Sequence, residues 1–298
     1  MAVNNIPITS SELCALNHVD ANSKALDFAY ADFSYYTSFS TAQKILSGHC
    51  FYVSNITKMN DKHEVSLHGE GSNFVHALCF CNTRSEALPM WYLYGGLTGS
   101  GVRLVFTPGN LLLFMREIVE VYPVENGSPD CTSPLKIGKD FELECGWVNY
   151  RRQDSDKVIF FKQKWYELSD PENFKCYFVK DYPWEYEREF RFLFHNKTGK
   201  ALDRIALKIP DKVYSKLKIA FAPESKIESL TENPPFNAFK TNKISKSALD
   251  VKMDLLDRNR ADVIAYLANY VSNNRSEIPS DEKAAIGHLY EVLKSMHN

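Results

Sequence analysis

Residues 184–194 read Trp184-Glu185-Tyr186-Glu187-Arg188-Glu189-Phe190-Arg191-Phe192-Leu193-Phe194. The alternation predicts a β-strand, because successive side chains of an extended chain leave on opposite faces. In that register Glu187, Glu189 and Arg191 share one face, about 7 Å from one to the next. Arg188, Phe190, Phe192 and Phe194 take the other face. An ordinary half-buried strand has no need of two like charges on one row, whereas a site that meets a developing positive charge uses them. The plainer reading is an exposed ion-pair ladder, which contributes little stability.

The rest of the chain predicts a mixture of strands and helices. Phe33–Thr37, Cys50–Ser54, Phe74–Cys81, Val102–Phe106, Ile205–Ile209 and Leu217–Phe221 carry the aromatic and β-branched residues of strands. A capping box at Ser40-Thr41-Ala42-Gln43 opens a short helix that Gly48 closes. Met90–Tyr94 is expected to be helical and to stop at Gly95-Gly96, and Leu111–Val119 to be a helix followed by a strand through Val124. Residues 11–32 are also read as helical, and 141–178 as holding helical material that includes Val158-Ile159-Phe160-Phe161. After Pro234-Pro235 the character changes to helical periodicity over 247–272 and 281–296. The expected organisation is an α+β domain over 1–235 and a helical extension over 236–298.

Composition removes several classes of function. A formal net charge of −2 gives no global basic field for nucleic acid or anionic membrane. No apolar run is long enough for a transmembrane helix, and the first residues lack the pattern of a signal peptide. The seven cysteines are an odd number without a Cys-x-x-Cys pair, which predicts reduced thiols, a cytoplasmic setting and no structural metal. Cys79 and Cys81 are expected on the same side of their strand. No Gly-x-Gly-x-x-Gly follows a strand, no P-loop lysine follows Gly99-Ser100-Gly101, and no Gly-x-Ser-x-Gly elbow occurs.

Three boxes stand in order along the chain. The first holds Tyr36-Thr37, Ile45-Leu46-Ser47-Gly48, Tyr52, Ser54 and Met59-Asn60-Asp61-Lys62-His63-Glu64. The second holds Leu78-Cys79-Phe80-Cys81, Met90-Trp91-Tyr92-Leu93-Tyr94 and Gly101–Phe106. The third is Trp184–Arg191. Together they resemble a bacterial domain-of-unknown-function family, number 2971, found in mobile and defence-associated neighbourhoods. The resemblance spans residues 33–222. The family has Asn-Asp-Pro-Phe-Glu where this chain has Asn60-Asp61-Lys62-His63-Glu64, and Cys-Phe-Ser where it has Cys79-Phe80-Cys81.

That family is in turn similar to the ADP-ribosyltransferase superfamily. The resemblance implies split mixed and antiparallel sheets flanked by helices, with NAD as the substrate. It implies that Tyr36 and Thr37 orient NAD, that Tyr52 and Ser54 pack on the nicotinamide, that Glu189 meets the nicotinamide ribose and that Glu187 faces the acceptor. Arg191 or Arg103 would neutralise the pyrophosphate. The acceptor would be a protein, a nucleic acid or water, and the setting a toxin or anti-phage effector. Two other classes stand beside this one. A non-catalytic sensor would use the C-terminal helices for a protein partner or a second copy. A metal-dependent nuclease would need Asp61, Glu64, Glu187 and Glu189 together. Trp91 and Tyr94, at helical spacing, read as packing residues, and Trp184 as a core or lid aromatic.

Overall fold

The protein is described by a computed structural model over residues 32–59, 69–83, 86–95, 101–151, 158–161, 164–167, 177–223, 225, 231–232, 234–239 and 243–247. The helix expected over 11–32 (but for Asp32), the Asn60–Glu64 loop and the two C-terminal helices (but for Ser247) lie outside the described residues, as do Cys14 and Cys176.

Strand β1 (Asp32–Thr37) leads through helix α1 (Phe39–Gly48) to β2 (Cys50–Ser54). Then come β3 (Val75–Thr83), helix α2 (Leu88–Tyr94) and β4 (Val102–Phe106). Helix α3 (Pro108–Glu117) precedes β5 (Glu120–Glu125) and two short strands, β6 (Ser128–Pro129) and β7 (Leu135–Lys136). Next are β8 (Phe141–Trp147), β9 (Asn149–Arg151), β10 (Val158–Phe161) and β11 (Lys164–Glu167). β12 (Val179–Asp181) and a 3-10 turn (Tyr182–Glu187) run into β13 (Glu189–Asn196). β14 (Arg204–Lys208), helix α4 (Asp211–Tyr214), β15 (Lys218–Phe221) and β16 (Ile244–Lys246) complete the order.

The architecture is α+β. A seven-stranded sheet has the order β16-β15-β4-β1-β3-β13-β8, antiparallel except for the β15–β16 pair. A second sheet of five strands joins β2, β14, β5 and β6, with β7 on β5. Smaller pairs join β10 to β11 and β9 to β12. β16, beyond residue 235, still belongs to the larger sheet. Among the described residues no helix is long and apolar enough to cross a membrane.

The main core is built largely from phenylalanine. Phe33, Phe51, Phe80, Phe106, Phe114, Phe190, Phe192 and Phe194 belong to one buried cluster. Phe51 of the second sheet meets Phe80, Phe106 and Phe114 with ring centroids 5.7–6.0 Å apart, mostly edge-on. Each fully buried ring contributes about 1.5–3 kcal/mol by leaving water. The opposite face of the seven-stranded sheet carries a smaller cluster of Ile56, Val75, Ala77, Tyr177, Phe178, Val179 and Leu193.

Two expectations change. The 141–178 segment, expected to hold helical material that includes Val158–Phe161, supplies strands β8 to β11. Phe141, Cys145 and Trp147 are buried along β8, and their spacing of two or four is strand spacing. Val158-Ile159-Phe160-Phe161 pairs as a hairpin with Lys164–Glu167, as β-branched and aromatic residues favour. Helix α1 starts two residues earlier than the capping box predicts. Ser38 is its cap, its hydroxyl accepting from the Thr41 N–H at 3.3 Å. His49, at φ 49°, takes the left-handed C-terminal position instead of Gly48.

Candidate functional site

β1 and β3 pair over only three residues: Asp32 with Thr83, Phe33 with Asn82, and Ser34 with Cys81. Beyond Ser34 the two strands separate. β1 stays paired to β4 as far as Thr37, and β3 to β13 as far as Val75. An Asn55–His76 bridge closes the far end. The opening is a cleft of about 310 Å³, a size that suits a small-molecule group.

The main chain contributes to its walls. The Asn82 N–H donates to the Arg188 carbonyl, on the β13 side. Main-chain groups alternate sides along an antiparallel strand, so those of Cys79 turn into the gap. There they have no strand partner among the described residues.

Tyr36, Tyr52, Ser54, Glu187 and Glu189 all line this cleft. The Tyr36 ring stands edge-on to the buried Trp91 at 4.9 Å, and its hydroxyl accepts from the Ala87 N–H at 3.2 Å. Tyr52 carries the Lys44 ammonium 4.3 Å above its ring. Thr37 ends β1 against Val102 and is not among the lining residues. Arg103 is also outside the lining; it pairs with Glu86 at 3.5 Å.

The carboxylates reach the cleft by a route that strand alternation does not predict. Glu187 is not in the strand. It ends the 3-10 turn that Pro183 helps to start, and Arg188 follows at φ 40°. A left-handed residue other than glycine is uncommon, and here it brings Glu187 and Glu189 to the same cavity. Phe190, Phe192 and Phe194 then occupy the core face as expected.

The ion-pair ladder is buried rather than exposed. Glu187 and Glu189 are each 3% exposed, Arg191 0% and Lys180 6%. Arg191 grips Glu189 with two parallel bonds, Nε to Oε1 at 2.7 Å and a terminal nitrogen to Oε2 at 3.0 Å. It also donates to the Tyr177 carbonyl. With its fork taken up in this way, Arg191 is absent from the cleft lining and is not placed to meet a pyrophosphate there.

Lys180 bridges the two acids. Its ammonium donates to Glu187 Oε2 at 2.5 Å and to Glu189 Oε2 at 3.3 Å, with the Trp184 ring 4.9 Å away. The Tyr94 hydroxyl donates to Glu187 Oε1 at 2.5 Å. The Tyr150 hydroxyl accepts from the Glu189 N–H at 2.8 Å.

These neighbours drive the two acids apart. Burial pushes Glu189 up, but the Arg191 guanidinium and then the Lys180 ammonium outweigh it and hold the carboxyl well below the usual carboxylate range. Burial pushes Glu187 up as well. There the Lys180 charge only partly offsets it, and the Glu189 charge adds to the rise, so Glu187 ends above its ordinary value. Burial and Glu187 raise Tyr94, while burial and Glu189 raise Cys79, so both remain protonated. Opposed shifts of two acids in one cavity are what general acid–base chemistry requires.

Lys180 and Tyr150 are absent from the sequence-based candidates, and Tyr94 is there only as a packing residue. Met90 and Lys58 also line the cleft, with Lys58 exposed. The described residues contain no group of three or more metal-ligating side chains, and Asp61 and Glu64 lie outside them. The chain matches no family model, no curated protein and no solved structure.

Proposed function

We propose that this chain consumes NAD in the cleft, breaking the nicotinamide–ribose bond and passing the ADP-ribosyl group to a protein, a nucleic acid or water. The observation that carries this is the pair Glu187 and Glu189, oppositely shifted, in one cavity with Tyr36 and Tyr52. An ADP-ribosyltransferase-like core is part of the proposal. In its favour, an early strand, the second strand and the start of a late strand meet at one cleft.

As C1′–N bond cleavage proceeds, the electron pair goes to nicotinamide and positive charge builds on the ribose. Glu189, fixed as an anion, stabilises that charge. The acceptor's oxygen or nitrogen attacks C1′, and its proton goes to Glu187, which has the higher proton affinity. Tyr36 and Tyr52 supply aromatic surface for nicotinamide. Since Arg191 is committed to Glu189, Lys58 takes the anion-binding role. A toxin or anti-phage effector is the setting that the family resemblance favours.

The test is release of labelled nicotinamide from NAD by the purified chain, alone and with lysate, DNA or RNA. Release by the wild type and its loss in Glu189→Gln are expected. No release in any mixture overturns the proposal. One observation favours a second reading, a sensor without turnover: both carboxylates are already paired with cations. NAD binding without release distinguishes it.

A further inference from the structure

We propose that Lys180 and Tyr94 are positioning residues that make Glu187 the proton-exchanging member of the acid pair, while Arg191 reserves Glu189 as a permanent anion. This assignment depends on the NAD-consuming reading only for what the proton serves. The division itself follows from which donors each carboxylate meets.

Glu189 is held by a guanidinium on both oxygens. A guanidinium does not give up its proton, and its planar fork matches a carboxylate edge. Protonating Glu189 would break a charge-assisted, two-bond ion pair that is almost wholly buried.

Glu187 is held differently. Its Oε2 accepts from an ammonium shared with Glu189, and its Oε1 accepts from a neutral hydroxyl. A hydroxyl can rotate and accept instead of donate. When Glu187 takes a proton on Oε1, the Tyr94 oxygen can receive that hydrogen bond, and the Lys180 ammonium stays with Glu189.

Among the described residues, the groups facing Glu187 come from its own turn and the elements packed against it. They are Lys180 from β12, Glu189 from β13, Tyr94 from α2, Tyr186 from its own turn and Tyr150 from β9. Lys180 is the cation among them. Replacing it by a neutral side chain removes the charge that favours ionised Glu187. Replacing Tyr94 by phenylalanine removes a bond that is stronger to the ionised carboxylate than to the neutral acid. Both changes move the Glu187 proton equilibrium to higher pH.

The experiment is carbon NMR of the full chain labelled at glutamate carboxyl carbons, titrated with pH. Glu187→Gln identifies the Glu187 resonance by its disappearance. Tyr94→Phe and Lys180→Met each move that midpoint to higher pH by about one pH unit or more. Lys180→Arg, which keeps the charge, returns it toward the wild-type position. Glu189 stays ionised wherever Arg191 is intact. In the NAD assay, the limb of the pH–rate profile that reports Glu187 moves with its resonance.

An unmoved Glu187 midpoint in Tyr94→Phe overturns the proposal even if Lys180→Met does not fold. Titration of Glu189 in place of Glu187 overturns it as well. If the midpoints move as expected and the wild type releases no nicotinamide, the proposed reaction fails and the division of roles stands.

Discussion

His76 sits in β3, the strand that forms one wall of the cleft, and its side chain is fully buried. Its Nε2–H donates to the Leu202 carbonyl at 2.8 Å, and its ring lies 6.2 Å from that of Phe141. Burial pushes the imidazole down from 6.5 to about 4, against smaller upward pulls from the Leu202 and Phe194 carbonyls and the Asp203 charge. The sign follows from linkage. Between the folded value of about 4 and the unfolded 6.5, the unfolded chain binds the proton more readily. Folding stability therefore falls as pH drops through that window, and the loss is complete below the lower value. At about 1.4 kcal/mol per pH unit, the complete loss is about 3 kcal/mol, with about 2 kcal/mol already present near pH 5.

The assay is urea unfolding of wild type and His76→Phe, each near pH 7.5 and near pH 5. Phenylalanine keeps an aromatic ring beside Phe141 but leaves the Leu202 carbonyl without its donor. That costs about 1 kcal/mol at either pH. Other titrating groups, His195 among them, affect both chains alike. The wild type should therefore lose about 2 kcal/mol more than His76→Phe between the two pH values. Parallel losses in the two chains would refute the reasoning, because they would mean that His76 takes up its proton within the fold without penalty.

Three further outcomes are expected. Glu189→Gln should abolish nicotinamide release and also destabilise the chain by about 3–5 kcal/mol, because it leaves Arg191 buried without its counter-charge; denaturation alongside the activity assay reads both. Lys58→Gln should raise the KM for NAD about fivefold with kcat unchanged, an effect of about 1 kcal/mol that shrinks with added salt; an unchanged KM at low salt removes Lys58 from the anion role. Gly101→Ala should lower thermal stability by about 1–3 kcal/mol, since a Cβ there would lie 2.6 Å from the Gly95 Cα and 2.8 Å from its carbonyl oxygen.

Sequence reasoning succeeded where a residue's role depends on its immediate neighbours. Strands β1 to β5, β14 and β15 and helices α2 and α3 follow from local apolar pattern, and so does the aromatic face of β13; β8, β16 and the short β6 and β7 do not. It misassigned Glu187 because Glu-Arg-Glu reads the same whether Arg188 is extended or left-handed. Pro183 was the available sign of a turn. Arg191 looked free to meet a ligand because alternation gives direction and says nothing of depth. Lys180 had no local sign at all. Its importance comes from the parallel pairing of β12 with β9, which sets an isolated lysine beside two acids. A lysine seven residues before an acid is unremarkable in one dimension.

The short β1–β3 ladder divides the seven-stranded sheet into two plates. One holds β16, β15, β4 and β1, and the other holds β3, β13 and β8. Three residue pairs join them. Tyr36 rides on the first plate and Glu189 on the second, so the spacing of ring and carboxylate is set across that short ladder. Helix α2 belongs with the first plate through Trp91 against Tyr36, yet its Tyr94 hydroxyl fastens to Glu187, next to the second. The Tyr94 bond thus ties the two plates at the cleft itself, and the phenylalanine core that they share ties them beneath it.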